Sequence, residues 1–234
     1  QKFYIAYYGR PADPPGLKYW LSQIDQSLSL SELSNLLSLQ DEYLESLSFE
    51  KPLEFKINQF YLNLFGRKTD FKILKYWLRK INNDHYKISD VLYDLLFILY
   101  PSDSSRSQQV IDDFHILENK LLAAELFTDK ISQNSLLVNL YKPHSLSPWI
   151  PGLSFTKTTD FLNQINLKKV LIKDVDTVID SLYIKSKLNH KKLAINMKNI
   201  SLHIPLFSSE SKSLTKKLTN KFLTGGKVMK SSEG

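Results

Sequence analysis

The sequence predicts an all-α fold in which tandem helix-corner-helix repeats pack as one helical bundle domain, followed by a Lys-rich, poorly structured C-terminal tail. Three observations lead to this prediction. A stretch of 22 residues occurs twice, its apolar residues recur at helical spacing, and the chain becomes strongly basic only near its C-terminal end.

The repeat aligns Phe3–Ile24 with Phe60–Ile81 at a constant offset of 57 residues, and 11 of the 22 aligned positions are identical. Unrelated segments would match at roughly one or two positions. The shared positions are an aromatic run, Gly-Arg, an Asp three residues later, and then Leu-Lys-Tyr-Trp-Leu. Each copy is therefore one building unit of the fold.

A tight corner inside each copy is predicted from one Gly and one Asp. Gly9 and Gly66 follow an apolar stripe, where a helix commonly ends on a left-handed residue that Gly adopts without strain. Asp13 and Asp70 stand where a side chain can accept the free N–H groups that begin the next helix. The predicted unit is a helix, a corner and a capped helix.

The second helix of each copy carries a Tyr-Trp pair. Trp20 and Trp77 fit its buried apolar face, together with Leu21 in the first copy. Tyr19 and Tyr76 point about 100° away around the helix axis, so we expect them to be partly exposed. The tyrosines are therefore candidate ligand-binding residues, and the tryptophans are structural.

Arg10 and Arg67 recur at the same corner and admit two interpretations. In the structural one, each guanidinium binds helix-end carbonyls or pairs with the Asp of its own motif. We favour this, because a residue repeated within a repeat usually belongs to the building unit. In the functional one, the two residues form anion sites for phosphate or uronate groups of a glycan.

The predicted domain organisation has two parts. A helical repeat domain covers residues 1–184, with repeat one at 3–50, repeat two at 55–100 and a third helical part at 107–184. A basic tail or linker covers residues 185–234.

The third part begins with a long helix predicted from about Ser107 to Phe127. Later helices are predicted to start at Thr159 or Asp160 and at Asp176. Between them lies a proline-containing loop with Trp149. This Trp either pins the loop to the helical body or offers a platform on which a carbohydrate stacks.

Charge is distributed unevenly. Residues 1–180 contain 20 basic and 22 acidic side chains, whereas residues 181–234 contain 11 Lys against Glu210 and Glu233. A solvated tail is the first expectation, and attraction to an anionic surface is the alternative. Nucleic acid is not favoured as a partner, because the tail has no Arg for base-edge contacts.

Several classes of chemistry are excluded. The chain has no Cys, and it lacks a Gly-rich phosphate loop, a zinc-protease motif and a nucleophile elbow. We therefore predict no enzymatic activity, no cofactor and no metal site. The longest apolar run, residues 91–100, is too short for a transmembrane segment. The chain begins at Gln1 without a visible secretory signal, so we expect a fragment of a longer protein.

The motif positions resemble the bacterial domain-of-unknown-function family 4214. The matching residues are Gly9, Arg10, Asp13, Trp20, Gly66, Arg67, Asp70 and Trp77. The second copy departs from the family pattern at Ile73, where the first has Gly16. The resemblance implies a secreted or surface-displayed protein of the S-layer type. An S-layer protein with a similar helical domain uses it to hold lipopolysaccharide.

Together these observations lead to a functional expectation. The leading hypothesis is a non-enzymatic cell-surface module that anchors or assembles a larger protein on the bacterial envelope. It would bind surface polysaccharide such as lipopolysaccharide, or neighbouring copies of itself. The alternative is a structural helical scaffold or linker that binds a different protein.

Overall fold

A computed structural model describes residues 1–46, 51–98, 107–146, 149–152, 154–168 and 170–182. Over these residues the fold is all-α, as predicted, with eleven helices and one short two-stranded hairpin. The predicted basic tail at residues 185–234 lies outside the described part of the chain.

Seven helices form the two repeats. The first repeat contains α1 (Lys2–Tyr8), α2 (Pro14–Asp25), α3 (Leu30–Ser38) and α4 (Asp41–Ser46). The second contains α5 (Leu53–Phe65), α6 (Phe71–Asn83) and α7 (Ile88–Ile98). The third part contains α8 (Gln108–Ser132), α9 (Ser135–Leu140), α10 (Phe155–Gln164) and α11 (172–182). Strands β1 (Ser145–Leu146) and β2 (Trp149–Ile150) pair antiparallel between α9 and α10.

The two predicted glycine corners are confirmed. Gly9 ends α1 at φ 65° and Gly66 ends α5 at φ 70°, both in the left-handed region. The N–H of Gly9 donates to the carbonyl of Ile5, and the N–H of Gly66 donates to that of Leu62. Each Gly therefore closes its helix with the αL capping geometry.

The predicted aspartate caps are also confirmed. Asp13 Oδ1 accepts from the N–H of Gly16 at 2.9 Å, and Asp70 Oδ1 accepts from the N–H of Ile73 at the same distance. These contacts satisfy one free donor at the start of α2 and of α6.

Side-chain amides hold both corners in the same way. Gln1 Oε1 accepts from the N–H of Ala12 at 2.9 Å, and Asn58 Oδ1 accepts from the N–H of Thr69 at 3.1 Å. Both partners in the second contact follow those in the first by 57 residues. The repeat is therefore preserved in three dimensions at the level of single hydrogen bonds.

The core forms where the first helices of the repeats meet α8. Helix α5 packs against both α1 and α8, and α3 packs against α7. Tyr7 of α1 meets Phe60 of α5 edge to face, with ring centroids 5.6 Å apart. Phe127 of α8 is fully buried in the same core cluster. Repeats and third part therefore share one core.

The second helices of the two repeats are buried to different extents. Trp77 is 3% exposed, and its indole N–H donates to the hydroxyl of Tyr61 at 3.4 Å. Trp20 is only partly buried, and Leu21 is 51% exposed. The prediction that Leu21 is buried is therefore wrong. Helix α2 borders an open groove, so its apolar face is not fully covered.

The start points predicted for the later helices are wrong. Helix α10 begins at Phe155, upstream of Thr159 and Asp160, because Phe155 packs on Tyr141 with centroids 5.0 Å apart. Helix α11 begins at residue 172, upstream of Asp176. Asp176 instead forms an ion pair with Lys130 of α8.

Candidate functional site

A groove with a volume of about 710 Å³ lies at the first corner. Side chains of α1 and α2 line it together with the start of α4 and the segment that contains the β-hairpin. It brings together three of the five residues predicted to bind a ligand, namely Arg10, Tyr19 and Trp149. We treat this groove as the candidate site.

Arg10 forms the floor of the groove and is already engaged by carboxylates. Its Nε and Nη2 donate to Glu42 at 2.6 and 2.7 Å, and its Nη1 and Nη2 each lie 3.3 Å from Asp13 Oδ2. Nη1 also donates to the carbonyl of Pro11 at 3.0 Å. Only 2% of Arg10 is exposed. The predicted pairing with Asp13 is confirmed, and Glu42 is an additional partner.

Four aromatic rings enclose the same guanidinium. Its central carbon lies 3.8 Å from the ring centroid of Phe155 and between 5.2 and 5.8 Å from those of Tyr4, Tyr8 and Tyr141. Burial disfavours the charged form of Arg10, but the Glu42 carboxylate outweighs burial and raises the Arg10 pKa well above its ordinary value. Arg10 is therefore a permanently charged part of the scaffold.

Two tyrosines of α1 supply uncharged polar groups to the groove. Burial raises the pKa of Tyr4 and of Tyr8 above the ordinary phenol value. The Tyr8 hydroxyl donates to the carbonyl of Leu37 at 3.3 Å. Both phenols are therefore neutral at physiological pH.

Flat aromatic faces form the walls. Tyr19 is 55% exposed and meets Trp20 edge to face, with centroids 4.9 Å apart. Trp149 stacks on Phe155 at 6.3 Å with an interplanar angle of 22°. The buried indole N–H of Trp149 has no acceptor in the described part of the chain. Trp149 thus both packs on the helical body and lines the groove.

The charged groups around the groove largely cancel. Glu42 and Asp13 are paired with Arg10, and the remaining charged lining residues are Asp41 and Lys142. The lining is mainly apolar and aromatic. Its chemistry therefore suits a neutral ligand with hydroxyl groups better than a phosphate or a carboxylate.

The second corner places its residues differently. Arg67 Nε and Nη2 donate to Asp113 of α8 at 2.8 and 2.5 Å, so its partner is not the predicted Asp70. The Arg67 side chain is 26% exposed, and Tyr76 is 42% exposed. Neither residue lines the groove. The two predicted Arg-Tyr sets are therefore not equivalent sites.

The departure at Ile73 has a structural reason. A Cβ at Gly16 would lie 2.3 Å from the Tyr4 hydroxyl, which reaches the start of α2. In the second copy the equivalent Tyr61 hydroxyl accepts from Trp77. The Gly is therefore needed where the groove forms.

Sequence reasoning missed Glu42, Lys142 and Leu146. Glu42 is 32 residues from Arg10, and no spacing rule links the two. Leu146 and Lys142 join the groove through the hairpin segment, which we predicted only as a loop. The aromatic composition of the first copy was the available signal for this site.

Further comparisons bound what the chain can be. Within the described residues, no group of three or more His, Asp or Glu side chains is placed to hold a metal ion. Among the described helices, none is both long and apolar enough to span a membrane. No protein-family model, curated protein or solved structure matches the chain.

Proposed function

We propose that the chain is a non-enzymatic module of a bacterial cell-surface protein that binds polysaccharide in the groove at the first corner. It would anchor or assemble a larger protein on the envelope. One observation carries the proposal: Tyr19, Trp20 and Trp149 offer aromatic faces around a floor whose charges are paired with one another. The surface location rests on the sequence resemblance.

A pyranose ring matches this combination. Its axial C–H groups form an apolar patch that packs on an aromatic face, while its hydroxyl groups remain available for hydrogen bonds. The Tyr4 hydroxyl and the indole N–H of Trp149 are polar groups of the lining that such hydroxyls can pair with. A groove of about 710 Å³ has room for an oligosaccharide segment of a few sugars.

The paired charges also favour a neutral sugar chain. A ligand held by phosphate or carboxylate groups would need an unpaired cation, and Arg10 already holds Glu42 and Asp13. Binding in this groove should therefore change little with ionic strength. That property separates groove binding from attraction to the Lys-rich tail, which weakens as salt is added.

Titration calorimetry with the lipid-free polysaccharide of lipopolysaccharide tests the proposal. We expect binding at both low and moderate salt, and we expect Tyr19→Ala to weaken it about tenfold through loss of the stacking face. Tyr76→Ala is the matched control, because Tyr76 occupies the same repeat position away from the groove. Absence of binding at either salt, or equal effects of the two substitutions, would refute the proposal.

A protein partner is the second candidate. Leu146 is 74% exposed and Leu39 is 59% exposed, and both line the groove. Apolar side chains at a rim are typical of a surface that another protein covers. If sedimentation shows self-association that Leu146→Ser abolishes, while no polysaccharide binds, the groove is an interface between neighbouring copies.

A further inference from the structure

The exposed face of α6 is strongly basic, whereas the matched helix α2 is not. Helix α6 contains four cationic residues and no acidic one, namely Lys72, Lys75, Arg79 and Lys80. Helix α2 contains one cationic and one acidic residue, Lys18 and Asp25. Both helices begin at the same corner and carry the same Tyr-Trp pair. The extra cations are therefore not required by the building unit.

Three of these cations form one continuous surface. At 100° per residue, Lys72, Lys75 and Arg79 fall within about 60° of arc around the helix. All three are exposed, while Trp77 on the other side of α6 is 3% exposed. Across the described ranges, no carboxylate lies within 4.0 Å of any of the three. Their charges are therefore available to a partner.

An exposed aromatic residue lies beside this basic surface. Phe71, the first residue of α6, is 74% exposed, and the Lys75 ammonium lies 5.4 Å from its ring centroid. Tyr76 adds a second ring on the exposed face, at 42% exposure. In the first copy the position of Phe71 is occupied by Pro14. The second copy thus combines cations with an exposed Phe that contributes little to the core.

We propose that this face of α6 docks on a bilayer surface rich in anionic phospholipid headgroups. The Lys and Arg side chains meet lipid phosphates, and the Phe71 ring enters the boundary between headgroups and acyl chains. The surface is separate from the glycan groove, since none of its residues lines that groove. It provides a second point of attachment that does not depend on the proposed glycan.

A nucleic acid is the competing anionic partner, and the surface fits it less well. Base-edge recognition relies mainly on Arg, and this face has a single one, Arg79. Single strands are held in a basic channel that follows the backbone, whereas α6 presents a convex face. A convex basic helix with an apolar tip fits a planar interface better.

The absence of Cys in the chain allows a direct test. The full chain with Phe71→Cys is labelled with an environment-sensitive fluorophore and mixed with vesicles of phosphatidylcholine containing about 30% phosphatidylglycerol. We expect a blue-shifted, stronger emission that is absent with pure phosphatidylcholine and reversed by added salt. Pro14→Cys labelled in the same way is the matched control, and its emission should not change.

A charge series measures the contribution of the cations. On the labelled background, Lys75→Gln should weaken vesicle binding about fivefold, and Lys72→Gln, Lys75→Gln and Arg79→Gln together about a hundredfold. Lys18→Gln, at the position that matches Lys75, should leave it unchanged.

Three results would overturn the proposal. They are an unchanged emission at position 71 while the chain still sediments with vesicles, equal responses at positions 14 and 71, and tighter binding of a DNA oligonucleotide than of vesicles at equal phosphate concentration. The first two would assign membrane attraction to another part of the chain, and the third would assign the face to nucleic acid.

Discussion

Asn63 donates from its side-chain amide to the carbonyl oxygen of Ala6 at 2.9 Å, across one repeat period of 57 residues. Lys120 repeats this relationship, because its ammonium donates to the carbonyl of Asn63 at 2.7 Å, again across 57 residues. Equivalent carbonyls at the ends of α1 and α5 are therefore bound by side chains from the next helix. Helix α8 thus takes the place of a third first helix, although its sequence lacks the Gly-Arg motif.

Replacing Asn63 should therefore destabilise the contact between the repeats. Asn63 is 6% exposed, so Asn63→Ala leaves the Ala6 carbonyl without its partner in a buried setting. We expect the free energy of unfolding to fall by about 1–3 kcal/mol in urea denaturation. Asn82→Ala, on the exposed side of α6, is the control and should change it by less than about 0.5 kcal/mol.

Lys120 should make stability depend on pH. It is fully buried, and burial lowers its pKa from 10.5 to about 8. Between these two values the unfolded chain binds a proton that the folded chain does not, so stability rises with pH. We expect the free energy of unfolding to gain on the order of 1–2 kcal/mol from pH 7.5 to 9.5.

Comparison with Lys120→Met isolates this contribution, since Met preserves the length of the side chain and does not titrate. The gain with pH should vanish in that variant and persist in Lys72→Met, which removes an exposed Lys. Identical pH profiles for wild type and Lys120→Met would show that the Lys120 pKa is not lowered. Measurements should stay below pH 10, because burial raises the pKa of Tyr7 and Tyr43 and reverses the trend above it.

The two motif arginines should differ in how strongly they depend on their carboxylates. Glu42→Gln removes the main counter-charge of Arg10, which is 2% exposed, and should cost about 3–5 kcal/mol of stability. Asp113→Asn removes the partner of Arg67, whose side chain is 26% exposed and can be hydrated instead. We expect a smaller loss there, of about 1–2 kcal/mol. Thermal unfolding would decide, and equal losses would contradict the burial argument.

The local features of the corners could be predicted from the sequence because they depend on neighbouring residues. A left-handed Gly66 and a capping Asp70 act within one helical turn, so their spacing predicts their geometry. The same holds for the capping box at Ser29 and Glu32, where the Ser29 side chain accepts from Glu32 and the Glu32 side chain accepts from Ser29.

The groove could not be predicted in the same way, because its contacts join distant segments. Trp149 approaches Arg10 only after α9, the hairpin and α10 have folded over the first corner. The choice of Asp113 as the partner of Arg67 likewise depends on where α8 packs. Candidate binding residues followed from the repeat, whereas their grouping depended on tertiary packing.

The contact between Tyr4 and Gly16 gives the sharpest test of how the first corner forms its groove. A Cβ at position 16 would lie 2.3 Å from the Tyr4 hydroxyl and 2.9 Å from Asp13 Oδ1, so Gly16→Ala should cost about 1–3 kcal/mol of stability. Removing the hydroxyl with Tyr4→Phe should relieve most of that cost in the double variant, a coupling that a double-mutant cycle measures by urea denaturation. Ile73→Ala at the matched position removes volume without a clash, so its effect should be independent of Tyr61→Phe. Additive effects of Gly16→Ala and Tyr4→Phe would mean that the hydroxyl does not occupy the space that the Gly leaves open.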